Sequence, residues 1–293
     1  MRKQIDSIFV SLFFIACWIF FFYFYPYHLH YKEQITLCVL QPDFLQTYLQ
    51  KPAFLTEICG DYLTQFFLWT GGGSSILTLT FMLTWLGFRI ALLKTGISSH
   101  TSLWALLPIV AEWALSCHLE YPLSMSLGLM CSVWAFLLSI LSTSTRMREI
   151  LHVIMLTILY CAIGAHFFAY VILVVVYECK HFNNYKLSFF LLLISLFIPI
   201  GGSYFYFLTP RQSYFYPLIS GYMLRQPFVF LLTEGFLLLS LLPALIFRQC
   251  KQWIALFTWI RTCCKPQFYF HLQNRHFRSF VLHFLFYFHN HKI

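Results

Sequence analysis

The sequence is poor in charge. Only 10% of its 293 residues are Asp, Glu, Lys or Arg, whereas 60% are hydrophobic and the mean hydropathy is +0.72. Soluble domains carry roughly 25% charged residues, so most side chains here must face lipid or other apolar helices. This scarcity excludes an ordinary soluble enzyme and a basic nucleic-acid-binding domain. It predicts an all-α, polytopic helical membrane protein that has the lipid bilayer as a partner. No nucleic-acid partner is expected.

Several sequence signals are also absent. No CxxC pair occurs among the ten cysteines, no Lys-Ser/Thr follows the glycine run at Gly71–Gly73, and no two acidic residues are adjacent. These absences leave no phosphate-binding P-loop and no indication of a cofactor or a metal site. Cys38 and Cys59 share one polar loop; they either form a disulfide or remain two packed free thiols.

Long apolar runs dominate the chain. The first follows Met1-Arg2-Lys3 and ends in aromatic residues without a small-residue cleavage site, which predicts an uncleaved helix with a cytoplasmic N-terminus. Further runs predict seven spans in a transmembrane domain over residues 1–248. A break at Pro199 and Gly201-Gly202 is expected in the sixth. The predicted spans are 8–25, 75–93, 101–117, 123–141, 150–177, 187–208 and 228–247.

This order assigns each loop to a side of the membrane. The loops at 94–100, 142–149 and 209–227 are expected in the cytoplasm, and those at 26–74, 118–122 and 178–186 outside. Basic residues crowd the tail at 249–293, which seven spans would place outside, against the positive-inside rule. Two explanations stay open: one span is re-entrant, or a frameshift or truncation has replaced the natural C-terminus after about Arg248.

The external loop at 26–74 is the most polar stretch of the chain. From Phe54 to Phe67, apolar residues recur every four positions, and Glu57, Asp61 and Gln65 share the opposite stripe. This spacing predicts an amphipathic helix suited to the membrane surface. A shorter helix is expected over 31–40, with Pro42 and Pro52 separating the pieces.

Candidate functional residues concentrate in and around this loop. Carboxylates beside an apolar boundary can act as general bases, and a sugar-transferring enzyme would need one to deprotonate its acceptor hydroxyl. We predict Glu33, Asp61 and Glu112 as catalytic residues. The alternative is that these acids only solvate the loop. The predicted ligand-binding residues are His30, Glu57, Gln65, Gly72, Gly73, His118 and Glu120.

The glycine run has two interpretations. It either binds an anion such as a lipid phosphate at a helix N-terminus, or forms a flexible entry with Ser74 or Ser75 as N-cap.

Ionisable residues inside the predicted spans offer a different function. Glu112, His166 and Glu234 could carry protons or ions in a transporter, because intramembrane ionisable groups are costly and often functional. Glu112 and Glu234 could instead pair with Arg or Lys near the interface. A non-catalytic envelope scaffold is the third possibility.

Two segments carry a family resemblance: His28-Leu-His-Tyr-Lys-Glu-Gln34, and Gly60-Asp-Tyr-Leu-Thr-Gln-Phe-Phe67 preceded by Lys51-Pro52. They resemble an uncharacterised, DUF6057-like family of multi-spanning bacterial membrane proteins, with similarity extending to about residue 248. The resemblance implies a topology in the inner membrane rather than an activity. Only the layout is similar to membrane glycosyltransferases that use polyprenyl-phosphate sugars, which suggests a lipid-linked substrate.

Overall fold

The computed structural model describes residues 2–36, 38, 41–97, 100–141, 145–182, 184–217, 229 and 232–241. These residues form helices, turns and coil, with no strand among them. The predicted all-α class is therefore confirmed for the described part of the chain. The tail at 249–293 and the stretch at 218–227 lie outside the described residues.

Thirteen α-helices are labelled here in chain order within the described residues. Short π- or 3-10-helical turns at Phe20–Phe24, Gln65–Leu68 and Gly164–His166 join some of them. The helices are α1 (Arg2–Ile19), α2 (Pro26–Ile35), α3 (Pro42–Leu49), α4 (Phe54–Thr64), α5 (Gly72–Lys94), α6 (Thr101–Trp104), α7 (Leu106–Ser116), α8 (Leu123–Ser139), α9 (Thr145–Ile163), α10 (Phe167–His181), α11 (Tyr185–Phe205), α12 (Pro210–Phe215) and α13 (Leu232–Leu241).

Four helical segments are long and apolar enough to cross a membrane: Asp6–Phe24, Gly72–Lys94, Arg146–His181 and Tyr185–Phe205. Three shorter apolar helices accompany them, at Thr101–Ser116, Leu123–Ser139 and Leu232–Leu241. These properties are consistent with an integral membrane protein. Four segments therefore qualify as spans by length and composition, and the seven predicted spans are not confirmed.

The predicted fifth span at 150–177 is wrong as a single crossing. As one straight helix it would hold Arg148 and Glu178 about 45 Å apart, at 1.5 Å per residue. Instead, the Arg148 Nε lies 2.7 Å from the Glu178 Oε1, and His152 Nδ1 lies 2.8 Å from the Tyr170 hydroxyl. Although residues 146–181 qualify as one span by length, their ends are in contact. Helices α9 and α10 are therefore an antiparallel hairpin.

A glycine makes the hairpin turn possible. Gly164 has a φ of +63°, a conformation that side chains with a Cβ adopt rarely. A Cβ at this position would also lie 2.4 Å from the Tyr216 carbonyl oxygen. That carbonyl accepts a hydrogen bond of 2.8 Å from the Ala165 N–H. The turn is thus built against the segment that follows α12.

Contacts between distant residues define one end of the helical bundle, which we call the basic end. Asp6 Oδ2 lies 3.4 Å from His100 Nδ1, His181 Nε2 lies 2.8 Å from the Lys94 carbonyl oxygen, and Asn184 Nδ2 donates to Glu149 Oε1 at 3.0 Å. The Arg148–Glu178 pair belongs to the same end. The basic end therefore gathers the start of α1, the α5–α6 connection, the start of α9 and the α10–α11 connection.

The opposite end, which we call the loop end, holds the segment at 26–74. Lys32 Nζ donates to the Ser116 carbonyl oxygen at 2.9 Å, joining α2 to the end of α7. The Thr56 hydroxyl lies 3.5 Å from the Ala162 carbonyl oxygen at the hairpin turn. Ser213 on α12 lies beside Tyr160 near the same turn. Residues 209–217 thus lie at the loop end, with the segment at 26–74. Residues 178–182 and 184–186 lie at the basic end, with 94–97 and 145–149. Both placements are the reverse of those predicted.

The helices alternate in direction between the two ends. Helices α1, α6–α7, α9 and α11 run toward the loop end, and α5, α8 and α10 run back. In α13, Leu232 packs with Leu115 and Tyr121 near the loop end, whereas Leu237 and Leu241 join the main core with Phe88 and Leu92. Helix α13 therefore also runs toward the basic end.

Helix α11 runs without interruption through Pro199, so the expected break there is absent. Both α11 and α1 expose many large apolar side chains, whereas the α9–α10 hairpin is mostly buried. A lipid-facing periphery around a packed centre accounts for this distribution.

Candidate functional site at the loop end

Prolines set the boundaries of the loop helices, as expected from the sequence. Pro26 and Pro42 occupy the first positions of α2 and α3, where a missing N–H costs nothing. Pro52 precedes Ala53, which has a φ of +62° and leads into α4. The short helix predicted over 31–40 instead begins at Pro26 and ends at Ile35.

Helix α4 exists as predicted but packs through a different face. Thr56, Gly60 and Thr64 are its buried residues, whereas Leu55 and Tyr62 of the predicted apolar stripe are exposed. A Cβ at Gly60 would lie 2.9 Å from the Ser124 backbone nitrogen, so α4 approaches α8 at backbone distance. Small residues therefore dock the helix on the bundle. This leaves Glu57, Asp61 and Gln65 half-buried rather than facing bulk water.

A pocket opens between α2, α4 and the α7–α8 connection. Lys32, Asp61 and Glu120 contribute charged groups to its lining, and Tyr121 and Phe67 contribute aromatic walls. Two of the sequence-predicted residues, Asp61 and Glu120, thus meet in one cavity. Exposed Ile35 and Leu119 also line it, so the pocket combines polar and apolar surface.

Lys32 supplies an unusual cation to this pocket. Its side chain is only 8% exposed, and its ammonium donates to the carbonyl oxygens of Ser116 and Tyr121 at 2.9 and 3.0 Å. An ammonium has three donors, and in the described part of the chain no carboxylate lies within ion-pair distance of Lys32. Burial lowers the pKa of Lys32 to about 8. The pocket therefore contains a buried positive charge without a counter-ion.

Asp61 and Glu57 form an acid pair one helical turn apart on α4. The Tyr48 hydroxyl donates to Asp61 Oδ2 at 2.7 Å, and the Tyr216 side chain bonds to Glu57. Burial raises the pKa of Asp61, and burial raises the pKa of Glu57 to about 7, with a further contribution from the nearby Asp61 charge. A carboxylate of raised pKa can accept a proton near neutral pH. No two acidic residues are adjacent in the sequence, but the four-residue spacing on helix α4 brings Glu57 and Asp61 together as an acid pair.

The other predicted loop residues lie outside the pocket lining. Glu33 is half-buried on α2, on a different face from Lys32. The Gln65 side chain donates to the Thr36 carbonyl oxygen at 2.7 Å and ties α4 to the end of α2. His118 lies beside His28. Cys38 and Cys59 are both free thiols.

Packing explains the glycine run without a ligand. Helix α5 begins at Gly72 with Gly71 as its N-cap at φ +81°, so the predicted N-cap at Ser74 or Ser75 is wrong. A Cβ at Gly72 would lie 2.1 Å from the Phe66 carbonyl oxygen, and one at Gly73 would lie 2.9 Å from Leu29 Cδ1. His30 lines a small cleft beside this turn. An anion site here stays a prediction.

Glu112 is buried behind the pocket rather than in it. It accepts hydrogen bonds from the Tyr121 hydroxyl at 3.0 Å and from the Ser126 hydroxyl at 2.7 Å. The three predicted catalytic acids therefore do not share one cavity. Instead, Glu112 interacts electrostatically with His166 and Glu234, and His166 Nδ1 lies 3.5 Å from Glu234 Oε1. The expected pairing of Glu112 or Glu234 with Arg or Lys is not found among the described residues.

Sequence reasoning missed Lys32, Tyr48 and Tyr121. Lys32 is part of the first family motif, and its place on a short helix, three positions from both Leu29 and Ile35, was the available signal. The two tyrosines give none, because their roles depend on contacts between separate helices.

Together these features describe a helical protein, consistent with an integral membrane protein, that has a polar pocket at one end of its bundle. The chain belongs to a family of unknown function (DUF6057), whose model matches residues 2–292. The match extends past residue 248, the limit expected from the motifs, and so includes the tail. No curated protein and no solved structure matches the chain.

Proposed function

We propose that this is an eight-crossing protein of the bacterial inner membrane with its basic end in the cytoplasm. The alternation of α1, α5, α6–α7, α8, α9, α10, α11 and α13 supports eight crossings, one more than predicted. Most described Lys and Arg residues lie at the basic end, and most of the ten acids lie at the loop end. This asymmetry follows the positive-inside rule.

The loop end then faces the outside of the cell, where we propose that the pocket binds the polar head of a lipid-linked substrate. The observation that carries this proposal is the buried Lys32 ammonium, which lines the pocket with no carboxylate partner. An anion is the ligand that compensates such a charge, and a phosphate offers several acceptor oxygens for its remaining donor. Exposed Ile35 and Leu119 beside the pocket suit the adjoining acyl or prenyl chain.

The acid pair suits transfer chemistry at the same place. Asp61 lines the pocket and accepts the proton of an acceptor hydroxyl. The hydroxyl oxygen then attacks the sugar carbon bonded to the lipid phosphate, and the lipid phosphate leaves with the electrons of the broken C–O bond. Glu57 lies on the same face of α4 as Asp61 and supports Asp61 in its role as the base. Glu112 takes no direct part, since it lies behind Tyr121.

Phosphate binding is tested with farnesyl phosphate as probe and farnesol as its matched control. Detergent-purified protein is expected to gain thermal stability from farnesyl phosphate and not from farnesol. The apparent affinity for farnesyl phosphate should be at least tenfold lower in Lys32→Gln. It should also weaken as the pH rises through about 8, because deprotonation of Lys32 removes the positive charge. Equal stabilisation by both compounds, or full stabilisation of Lys32→Gln, would contradict the proposal.

The role of Asp61 is tested separately. Asp61→Asn should keep farnesyl phosphate binding and lose function in cells, whereas Glu33→Gln, a change outside the pocket lining, should keep both. If Asp61→Asn retains full function, the transfer chemistry is wrong, although the phosphate site can still stand.

A further inference from the structure

The predicted intramembrane acids and histidine come together although they lie far apart in sequence. Glu112 lies on α7, His166 at the α9–α10 turn, and Glu234 on α13. Their side chains are 1%, 1% and 4% exposed. Gly128 on α8 leaves room for the imidazole, since a Cβ there would lie 3.0 Å from His166 Cδ2. The fold therefore builds this cluster from four helical elements.

The cluster is short of hydrogen-bond partners. Both ring nitrogens of His166 and both carboxylate oxygens of Glu234 are buried without a hydrogen bond among the described residues. Their contact of 3.5 Å is within ion-pair range but longer than an ordinary hydrogen bond. Glu112, in contrast, receives donors from Tyr121 and Ser126. The His166 and Glu234 side chains thus have unused capacity to hold a proton.

The charges do not balance when every group is ionised. Within the described residues, the titratable groups that act on the two carboxylates are His166, Tyr121 and the carboxylates themselves. Two carboxylates with one imidazolium leave one net negative charge in an apolar surrounding, which is costly. One further proton removes that charge. A metal ion is a poorer occupant, since no group of three ligands with suitable geometry occurs in the described part of the chain.

A connection to the outside runs through Tyr121. Its hydroxyl donates to Glu112, its carbonyl oxygen accepts from Lys32, and the residue is part of the pocket lining. Asp61 and Glu120 line the same pocket. Tyr121 therefore separates the pocket from the buried cluster, and a proton that enters the pocket must pass it to reach the cluster.

From this geometry we propose that Glu112, His166 and Glu234 form a proton-binding site within the membrane-embedded bundle, reached from the loop-end pocket past Tyr121. The site exchanges one proton between solution and the cluster, so its net charge alternates between zero and minus one. This places a proton-responsive element directly behind the pocket. The inference does not depend on which ligand the pocket binds.

Infrared difference spectroscopy tests it directly. Protein in lipid nanodiscs is titrated between pH 5 and pH 9, and the C=O stretch of a protonated carboxyl group is followed. Glu57, whose pKa is raised to about 7, contributes a separate component that is identified by its loss in Glu57→Gln. We expect a second titrating component in the unaltered protein that disappears in Glu234→Gln or Glu112→Gln and persists in Glu33→Gln. Tyr121→Phe should keep the band but shift its frequency, because Glu112 loses a donor.

Two results would overturn the proposal. One is the absence of any titrating carboxyl band in the unaltered protein, which does not depend on the folding of a variant. The other is a titrating band that, with Glu57 replaced by Gln, survives both glutamine substitutions in the cluster. Farnesyl phosphate binding is measured independently, so failure of the pocket proposal leaves this test intact.

Discussion

Two buried clusters of ionisable side chains lie at opposite ends of the same helical bundle, and they differ in how their charges are met. At the basic end, Arg148 donates to Glu178 through two nitrogens, at 2.7 and 3.4 Å, and its guanidinium lies 3.7 Å from the centre of the Phe182 ring. At the loop end, Glu112, His166 and Glu234 have no Arg or Lys among their described neighbours.

The difference separates a structural contact from the proton-binding site that we propose. The Arg148–Glu178 pair closes the α9–α10 hairpin, because it joins the first turn of α9 to the last turns of α10. A paired buried charge is lost only at high cost. The loop-end cluster closes nothing in the same way, and four of its buried side-chain atoms, on His166 and Glu234, make no hydrogen bond, against one at the basic end, His152 Nε2. We therefore expect removal of a charge to destabilise the protein strongly at the basic end and to change its stability little at the loop end.

The largest expected effect is at the basic end. Arg148→Met leaves the fully buried Glu178 without its cation, which should lower the free energy of unfolding by about 3–5 kcal/mol. Glu234→Gln keeps shape and removes a charge that lies 3.5 Å from His166 and makes no hydrogen bond, so its effect should stay within about 1 kcal/mol. Unfolding of the purified variants in mixed micelles measures both. The comparison breaks if the two substitutions cost the same, or if Glu234→Gln costs more.

A smaller effect is expected where the loop docks on the bundle. Gly60→Ala places a methyl group 2.9 Å from the Ser124 backbone, which should cost about 1–3 kcal/mol by overpacking. Gly201→Ala on α11 is the matched control, since a Cβ there meets nothing within 4 Å and helix propensity favours Ala by up to about 1 kcal/mol. Opposite signs in thermal unfolding support the close packing of α4 on α8. A neutral Gly60→Ala would mean that the loop is not docked there.

The smallest effect is a pH dependence at the loop end. The pKa of Glu57 is raised from 4.5 to about 7, so between these values the folded protein binds more protons than the unfolded chain. The stability contributed by protonated Glu57 is present at low pH and is lost as the pH rises to about 7. Glu57→Gln should flatten that slope, as measured by unfolding midpoints at pH 5, 6, 7 and 8. An unchanged slope would show that Glu57 is not buried as described.

Composition and apolar runs were sufficient to predict the class of protein, and proline positions the division of the loop. They could not reveal the hairpin. Residues 150–177 form an unbroken apolar run in the sequence, and Gly164 looks like one small residue among many. What reverses the chain is a contact between Gly164 and Tyr216, 52 positions apart, which no local pattern records.

The candidate site was predictable to a similar degree. Asp61 and Glu120 could be named because polar residues are rare in this chain. Their meeting with Lys32 depends on the docking of α2 and α4 against the α7–α8 connection. The face through which α4 packs on the bundle was not predicted, because the strongest periodic signal of α4 is apolar and indicated the membrane surface, whereas the buried residues are the small Thr56, Gly60 and Thr64. Close backbone approach decided the packing, and hydrophobicity alone does not indicate it.

The central claim is that the hairpin turns the chain back, so that the two ends of the bundle lie on opposite sides of the membrane. The direct test is labelling of single cysteines in intact cells with a membrane-impermeant maleimide, in a background whose native cysteines are replaced. Exposed Gln50→Cys represents the loop end, and exposed Lys186→Cys the basic end. The account predicts that Gln50→Cys is labelled in intact cells and that Lys186→Cys is labelled only after permeabilisation. Labelling of both cysteines in intact cells would place the two ends on one side of the membrane, as a single crossing by residues 146–181 requires, and would contradict the account.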